Sequence, residues 1–126
     1  MSFTYYLSKE MQKRVEELSR GFYELIYPPV DMYEEGGYLV VVADMAGFQK
    51  ERIRARISGQ NELIIEADRE ISEPAHKYLS QRPKSIRKVI KLPYSVAKDA
   101  EVIGKYENGV LTIRIPIAGA AAVKIE

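Results

Sequence analysis

Two hydrophobic periods divide this chain. Before Val30, apolar side chains recur every three or four positions, at Met11, Val15, Leu18, Phe22 and Leu25. That spacing places them on one stripe of an α-helix of about four turns. Lys13, Arg14, Glu16, Glu17 and Arg20 fall on its other faces. Ser8 stands where a side-chain oxygen caps a helix start, with Lys9 and Glu10 in the first turn. Gly21 weakens the end of the helix by about 1 kcal/mol relative to alanine. Pro28 and Pro29 stop it, because Pro29 has no amide donor and pushes Pro28 toward extended backbone. Such a stripe either packs back on its own domain or stands out as an arm for other subunits and clients. Phe3, Tyr5 and Tyr6 extend the apolar character ahead of the helix and favour the arm.

From Val30 the period changes to two, as for strands whose successive side chains face opposite ways. VDMYEE is a short strand, Gly36-Gly37 a turn, and YLVVVADM a central strand broken by Ala46-Gly47-Phe48. In ERIRARISG, Ile53, Ala55 and Ile57 share one face and Arg52, Arg54 and Arg56 the other. Gln60-Asn61 turns into LIIEA, with Leu63, Ile65 and Ala67 together. Residues 68–85 hold Pro74 and Pro83 and no clean period, so they form a long exposed loop, with a short edge strand near Tyr78 and Leu79. IRKVIKL places Ile86, Lys88, Ile90 and Leu92 on one face and ends at Pro93. VIGKY, the Asn108-Gly109 hairpin turn and VLTIRI complete the set, with Leu111, Ile113 and Ile115 inward. Seven or eight short strands between Val30 and Pro116 predict an all-β, immunoglobulin-like antiparallel β-sandwich. A parallel α/β enzyme would need helices between its strands, and this stretch has none. The chain therefore divides into an N-terminal helical arm (1–28), a sandwich (29–116) and a C-terminal tail (117–126) of small residues ending in Val123-Lys124-Ile125-Glu126.

Charge and chemistry narrow the function. With 126 residues, the chain suits one domain. Its 19 basic and 18 acidic residues leave a net charge of +1, which gives no field for nucleic acid or an acidic membrane surface. Arg52, Arg54 and Arg56 read as the solvated face of a half-buried strand, paired with acids, and no stacking aromatics accompany them. Without cysteine there is no disulfide, thiolate catalysis or cysteine-held zinc. The single histidine, His76, lies in the polar loop with no second histidine or cysteine to complete a metal set. Asp68, Glu70 and Glu73 match no calcium loop and read as a solvated face. No phosphate-cradling glycine loop occurs, the N-terminal residues do not read as a secretion signal, and no apolar run approaches a membrane span. The expectation is a non-enzyme of the cytoplasm that needs no cofactor and no metal.

The ordered series of these segments resembles the small heat-shock protein (α-crystallin) family, in its short archaeal or prokaryotic form. The resemblance rests on VDMYEEGGYLVVVADMAGF with its break at Asp44, Gly47 and Phe48, and on NELIIEADRE and IRKVIKLP with Leu92-Pro93. The most specific part is Ala100 followed by Asn108-Gly109-Val110-Leu111 and TIRIP, and the terminal Val123-Lys124-Ile125 matches the family's I-x-I/V tail. Two positions depart from the pattern. Lys88 stands where the family often has arginine, and Lys84-Ser85-Ile86 replaces a Gly-x-Phe.

The resemblance implies an ATP-independent chaperone that holds partly unfolded clients and self-assembles from dimers into a large oligomer. It implies that Tyr78 and Leu79, with Lys88, serve the dimer through a swapped strand. Val123 and Ile125 would anchor the tail in an edge groove, whose expected lining is Ile53, Ala55, Ile57, Val102 and Gly104. Met11, Val15, Leu18 and Phe22 would receive clients. A monomeric p23-like co-chaperone is the alternative sandwich.

Overall fold

The computed structural model describes residues 3–117 and 125–126. Helix α1 runs Phe3–Ile26, followed by β1 (Val30–Glu35), β2 (Tyr38–Asp44), a 3₁₀ turn (Lys50–Arg52), β3 (Ile53–Ile57), β4 (Glu62–Asp68), β5 (Ser85–Lys91), β6 (Ile103–Glu107) and β7 (Val110–Pro116). Every strand pairing is antiparallel. One sheet has the order β1-β2-β7-β6 and the other β3-β4-β5. The helix starts five residues before the expected cap and runs through Ser8 and Gly21, so neither position ends it. Its C-terminus falls just ahead of Pro28, where the missing amide donor and the restricted residue before proline forbid another turn.

Alternation sorts each strand into a core row and an outer row. Leu39, Val41 and Ala43 of β2 stand opposite Ile115, Ile113 and Leu111 of β7. Leu63, Ile65 and Ala67 of β4 stand beside Ile57, Ala55 and Ile53 of β3. The rows of β2, β7 and β4 meet between the sheets with Met45, Phe48, Ile86 and Leu92 in one buried cluster, against which Ile53 and Ile57 pack. The central strands β2 and β4 carry nearly continuous apolar runs, and Val40 and Ile64 are buried even on their outer rows.

Three local devices fix the ends. The β6–β7 hairpin turns on Asn108 and Gly109 with φ of 53° and 77°, the mirror-image turn that matches strand twist. A Cβ on Gly109 would lie 2.9 Å from the Ala46 Cα, so only glycine lets the two turns approach. Asn61, at φ 61°, donates its side-chain amide to the carbonyls of Leu92 (3.2 Å) and Tyr94 (2.7 Å), tying the β3–β4 turn to the end of β5. The Tyr106 hydroxyl lies 2.6 Å from the Met45 carbonyl and 2.8 Å from that of Phe48, so one phenolic proton serves the break after β2.

The segment between β4 and β5 contains no strand. Tyr78 and Leu79 are exposed and, among the described residues, paired with no strand, contrary to the edge strand expected there. The prolines at 74 and 83 bracket the stretch, and each removes a backbone donor that a ladder would use.

Candidate functional site

The apolar stripe of α1 faces solvent. Met11 is 65% exposed, Leu18 74% and Leu25 76%, with Phe22 also exposed. The opposite, polar face docks on the chain's own domain, against β5 and the loop before it. Arg20 pairs with Glu73 at 2.7 Å, the Glu24 carboxylate accepts the Lys84 amide at 2.9 Å, and Lys88 donates to the Ile26 carbonyl at 3.2 Å. A cation at the last carbonyls of a helix also meets the negative end of its dipole. The helix thus packs back on its own domain, but through its charged face, and leaves the stripe outside. The Val15 side chain lies outside the described residues.

Glu73 gathers three cations. Besides Arg20, Lys77 approaches at 2.6 Å and Lys84 at 2.5 Å. These bonds, led by that from Lys77, hold its carboxyl far below the usual carboxylate range. Asp68 is likewise lowered, chiefly by its bond from Arg52 (2.7 Å), with Arg54 adding at 3.4 Å. Of the acids read as a solvated face, Asp68 and Glu73 therefore belong to two separate ion-pair groups and Glu70 is exposed, while Arg52 and Arg54 find the acid expected for them. His76 is exposed in the loop. Among the described residues no three His, Cys, Asp or Glu side chains converge on a metal position, and no helix is long and apolar enough to cross a membrane.

A groove of about 740 Å³ opens between the edge strand β3 and the edge strand β6. Ala55, Ile57, Val102 and Gly104 line it, as do Leu63 and Ile113 at its floor. Ile53, expected there, packs against the core cluster instead. One wall, Ser95 to Ala100, was not anticipated. It has no hydrophobic period, and only its small residues between Pro93 and β6 hint at a surface meant to be approached closely. Among the described residues the outer edges of β3 and β6 carry backbone groups without a ladder partner, which suits an added extended segment. Val123 lies outside the described residues, and Ile125 is 91% exposed.

Tyr78 and Leu79 are exposed in the loop before β5, and Lys88 of β5 engages the end of α1. The model of the Hsp20/alpha crystallin family matches residues 31–125. The chain belongs to that family. Among solved structures it is similar to a point mutant of hsp14.1 from Sulfolobus solfataricus P2, at 55% identity over 99% of this chain and 98% of that one, with a TM-score of 0.78. A deletion mutant of the same archaeal protein matches at 56% identity over 96% and 100%, with a TM-score of 0.79. Heat shock protein 16.0 from Schizosaccharomyces pombe shares the fold at 21% identity, over 79% of this chain and 94% of that one, with a TM-score of 0.61. No curated protein sequence matches. Membership of this small heat-shock family supports a chaperone role in the stress response.

Proposed function

We propose that this small heat-shock protein is an ATP-independent holdase of the cytoplasm that captures partly unfolded proteins and releases none by chemistry of its own. The observation that carries the reading is the orientation of α1. A helix that spends its charged face on its own domain and its apolar face on water pays a solvation cost. That cost is recovered when an unfolding client brings apolar surface of its own. Met11, Val15, Leu18 and Phe22 are the contact residues, and no shaped pocket or cofactor is required.

Assembly uses the other two segments. Dimers form when the loop holding Tyr78 and Leu79 leaves its own chain and adds to a partner's free strand edge, with Lys88 beside it. Dimers then join through the tail, Val123 and Ile125 filling the groove between β3 and β6. Burying both aliphatic side chains contributes roughly 3–5 kcal/mol, and ordering about eight small residues opposes it by a similar amount. Each link is weak, and many together give an exchanging shell.

The test heats an aggregating model client with the chain and without nucleotide, and measures the mass of the chain alone by light scattering. Suppressed turbidity and an assembly that falls to dimers in the Val123→Ala/Ile125→Ala variant are expected. A 14.4 kDa species would favour the monomeric p23-like alternative instead.

A further inference from the structure

The lining of the groove is electrically one-sided. Arg56 and Lys98 are its only charged members among the described residues, and both are cations. They are not equivalent. Arg56 stands on the outer row of β3, opposite Ile64, while Ala55 and Ile57 face the groove. Lys98 sits on the wall between β5 and β6, where the chain is exposed and in no strand. Among the described residues no carboxylate lies within ion-pair distance of Lys98, whereas Arg52, Arg54, Lys77, Lys84 and Lys105 each have one. Asp99 and Glu101 follow it in sequence but do not line the groove.

The proposed occupant carries the complementary charge. The tail reads Val123-Lys124-Ile125-Glu126. Were the tail extended, residues 123 and 125 would share one side and residues 124 and 126 the other. The apolar pair alone does not say which way the tail lies, because reversing it exchanges one aliphatic knob for another. Glu126 breaks that symmetry, since it stands at one end only.

We propose that Lys98 pairs with Glu126 of a second copy of this chain and so fixes the direction in which the tail lies in the groove. This inference rests on the tail-in-groove reading and adds its polarity. Reversing the tail would carry Glu126 to the other side of the two knobs, away from the place where it meets Lys98 in the proposed direction. The aliphatic knobs supply attraction and the rim charge supplies selection, the usual division between contacts that bind and contacts that choose. Salt weakens such a rim pair, because at 1 M the screening length is about 3 Å.

The experiment uses the full chain and follows assembly mass by light scattering through a dilution series, in low salt and in 1 M salt. Lys98→Glu and Glu126→Lys should each raise the dissociation midpoint about two- to fivefold at low salt, the scale of an exposed ion pair. The double exchange should return the midpoint to the parent value, and all four proteins should converge in 1 M salt. Arg56→Glu combined with Glu126→Lys should give no such rescue. Single exchanges without effect, or a double variant weakened by the sum of both, would overturn the pairing. The Val123→Ala/Ile125→Ala variant separates the two levels. If it leaves the assembly intact, the tail is not the link and the inference falls with that reading. If it yields dimers while the charge exchanges are silent, only the Lys98–Glu126 pair is wrong.

Discussion

Strand β4 and helix α1 carry the same kinds of side chain and treat them in opposite ways. In β4, Leu63, Ile64, Ile65 and Ala67 are all buried between neighbouring strands or the facing sheet. In α1, Met11, Leu18, Phe22 and Leu25 are left in water. Hydrophobic residues in β4 make the fold. Those in α1 contribute almost nothing to it, because the helix is held by Arg20, Glu24 and the Lys88 contact at its end. Regular apolar spacing therefore tells which face is sticky, and only the tertiary partner tells what it sticks to.

The sharpest way to break this contrast is to truncate one residue in each region. Ile65→Ala removes a fully buried side chain and should cost about 2–5 kcal/mol, lowering Tm by many degrees. Leu18→Ala, in the exposed stripe, should change stability within about 0.5 kcal/mol. Calorimetry or circular dichroism melts compare them directly. Similar losses in both would show that α1 is part of the core.

Gly109→Ala comes next in size. It forces a side chain onto φ 77° and into the Ala46 backbone at 2.9 Å, so a destabilisation of about 1–3 kcal/mol is expected, again read by thermal melts. An unchanged Tm would mean that the hairpin and the Ala46 turn separate at little cost.

These positions also show what the sequence made readable. The Asn108-Gly109 turn, the proline stops and the two faces of β3 follow from local geometry, so pattern alone places them. The antiparallel sandwich class and the family followed from the order of such signals, whereas the strand order of the two sheets did not. The wall from Ser95 to Ala100 did not, because a groove wall of small residues has no period. Nor did the meeting of Glu73 with Arg20, Lys77 and Lys84, since charges brought together from the helix, the loop and the start of β5 leave no mark in spacing. Ile53 was misplaced in the groove for a related reason. Alternation gives the face of a strand correctly, but not where along that face the core ends and the rim begins.

The smallest effect sought is on the docking of α1. Glu73 titrates below its ordinary carboxylate range when folded, so its contribution is present above the unfolded value of 4.5 and is lost as pH falls through the lowered one. Because Glu73 is exposed, the core should barely respond. Glu73→Gln at pH 7 should loosen the C-terminal half of α1 and the loop together, seen as faster amide exchange there and unchanged exchange in β2 and β4. It should also abolish the further loosening that the parent protein shows on acidification below about 4.5, the unfolded carboxyl value from which the stability is lost. Equal protection of α1 in both proteins would show that Glu24 and Lys88 suffice to hold it.

The central claim is that the solvent-facing stripe of α1, and not the sandwich, receives clients. The direct measurement replaces Met11, Leu18, Phe22 and Leu25 with glutamine, a good helix former, and follows the turbidity of a heated model client. The account predicts an unchanged melting transition of the sandwich and a severalfold loss in suppression of aggregation at equal chain concentration. Full suppression by this variant, with its fold intact, would contradict the account and move the client surface onto the β-sandwich.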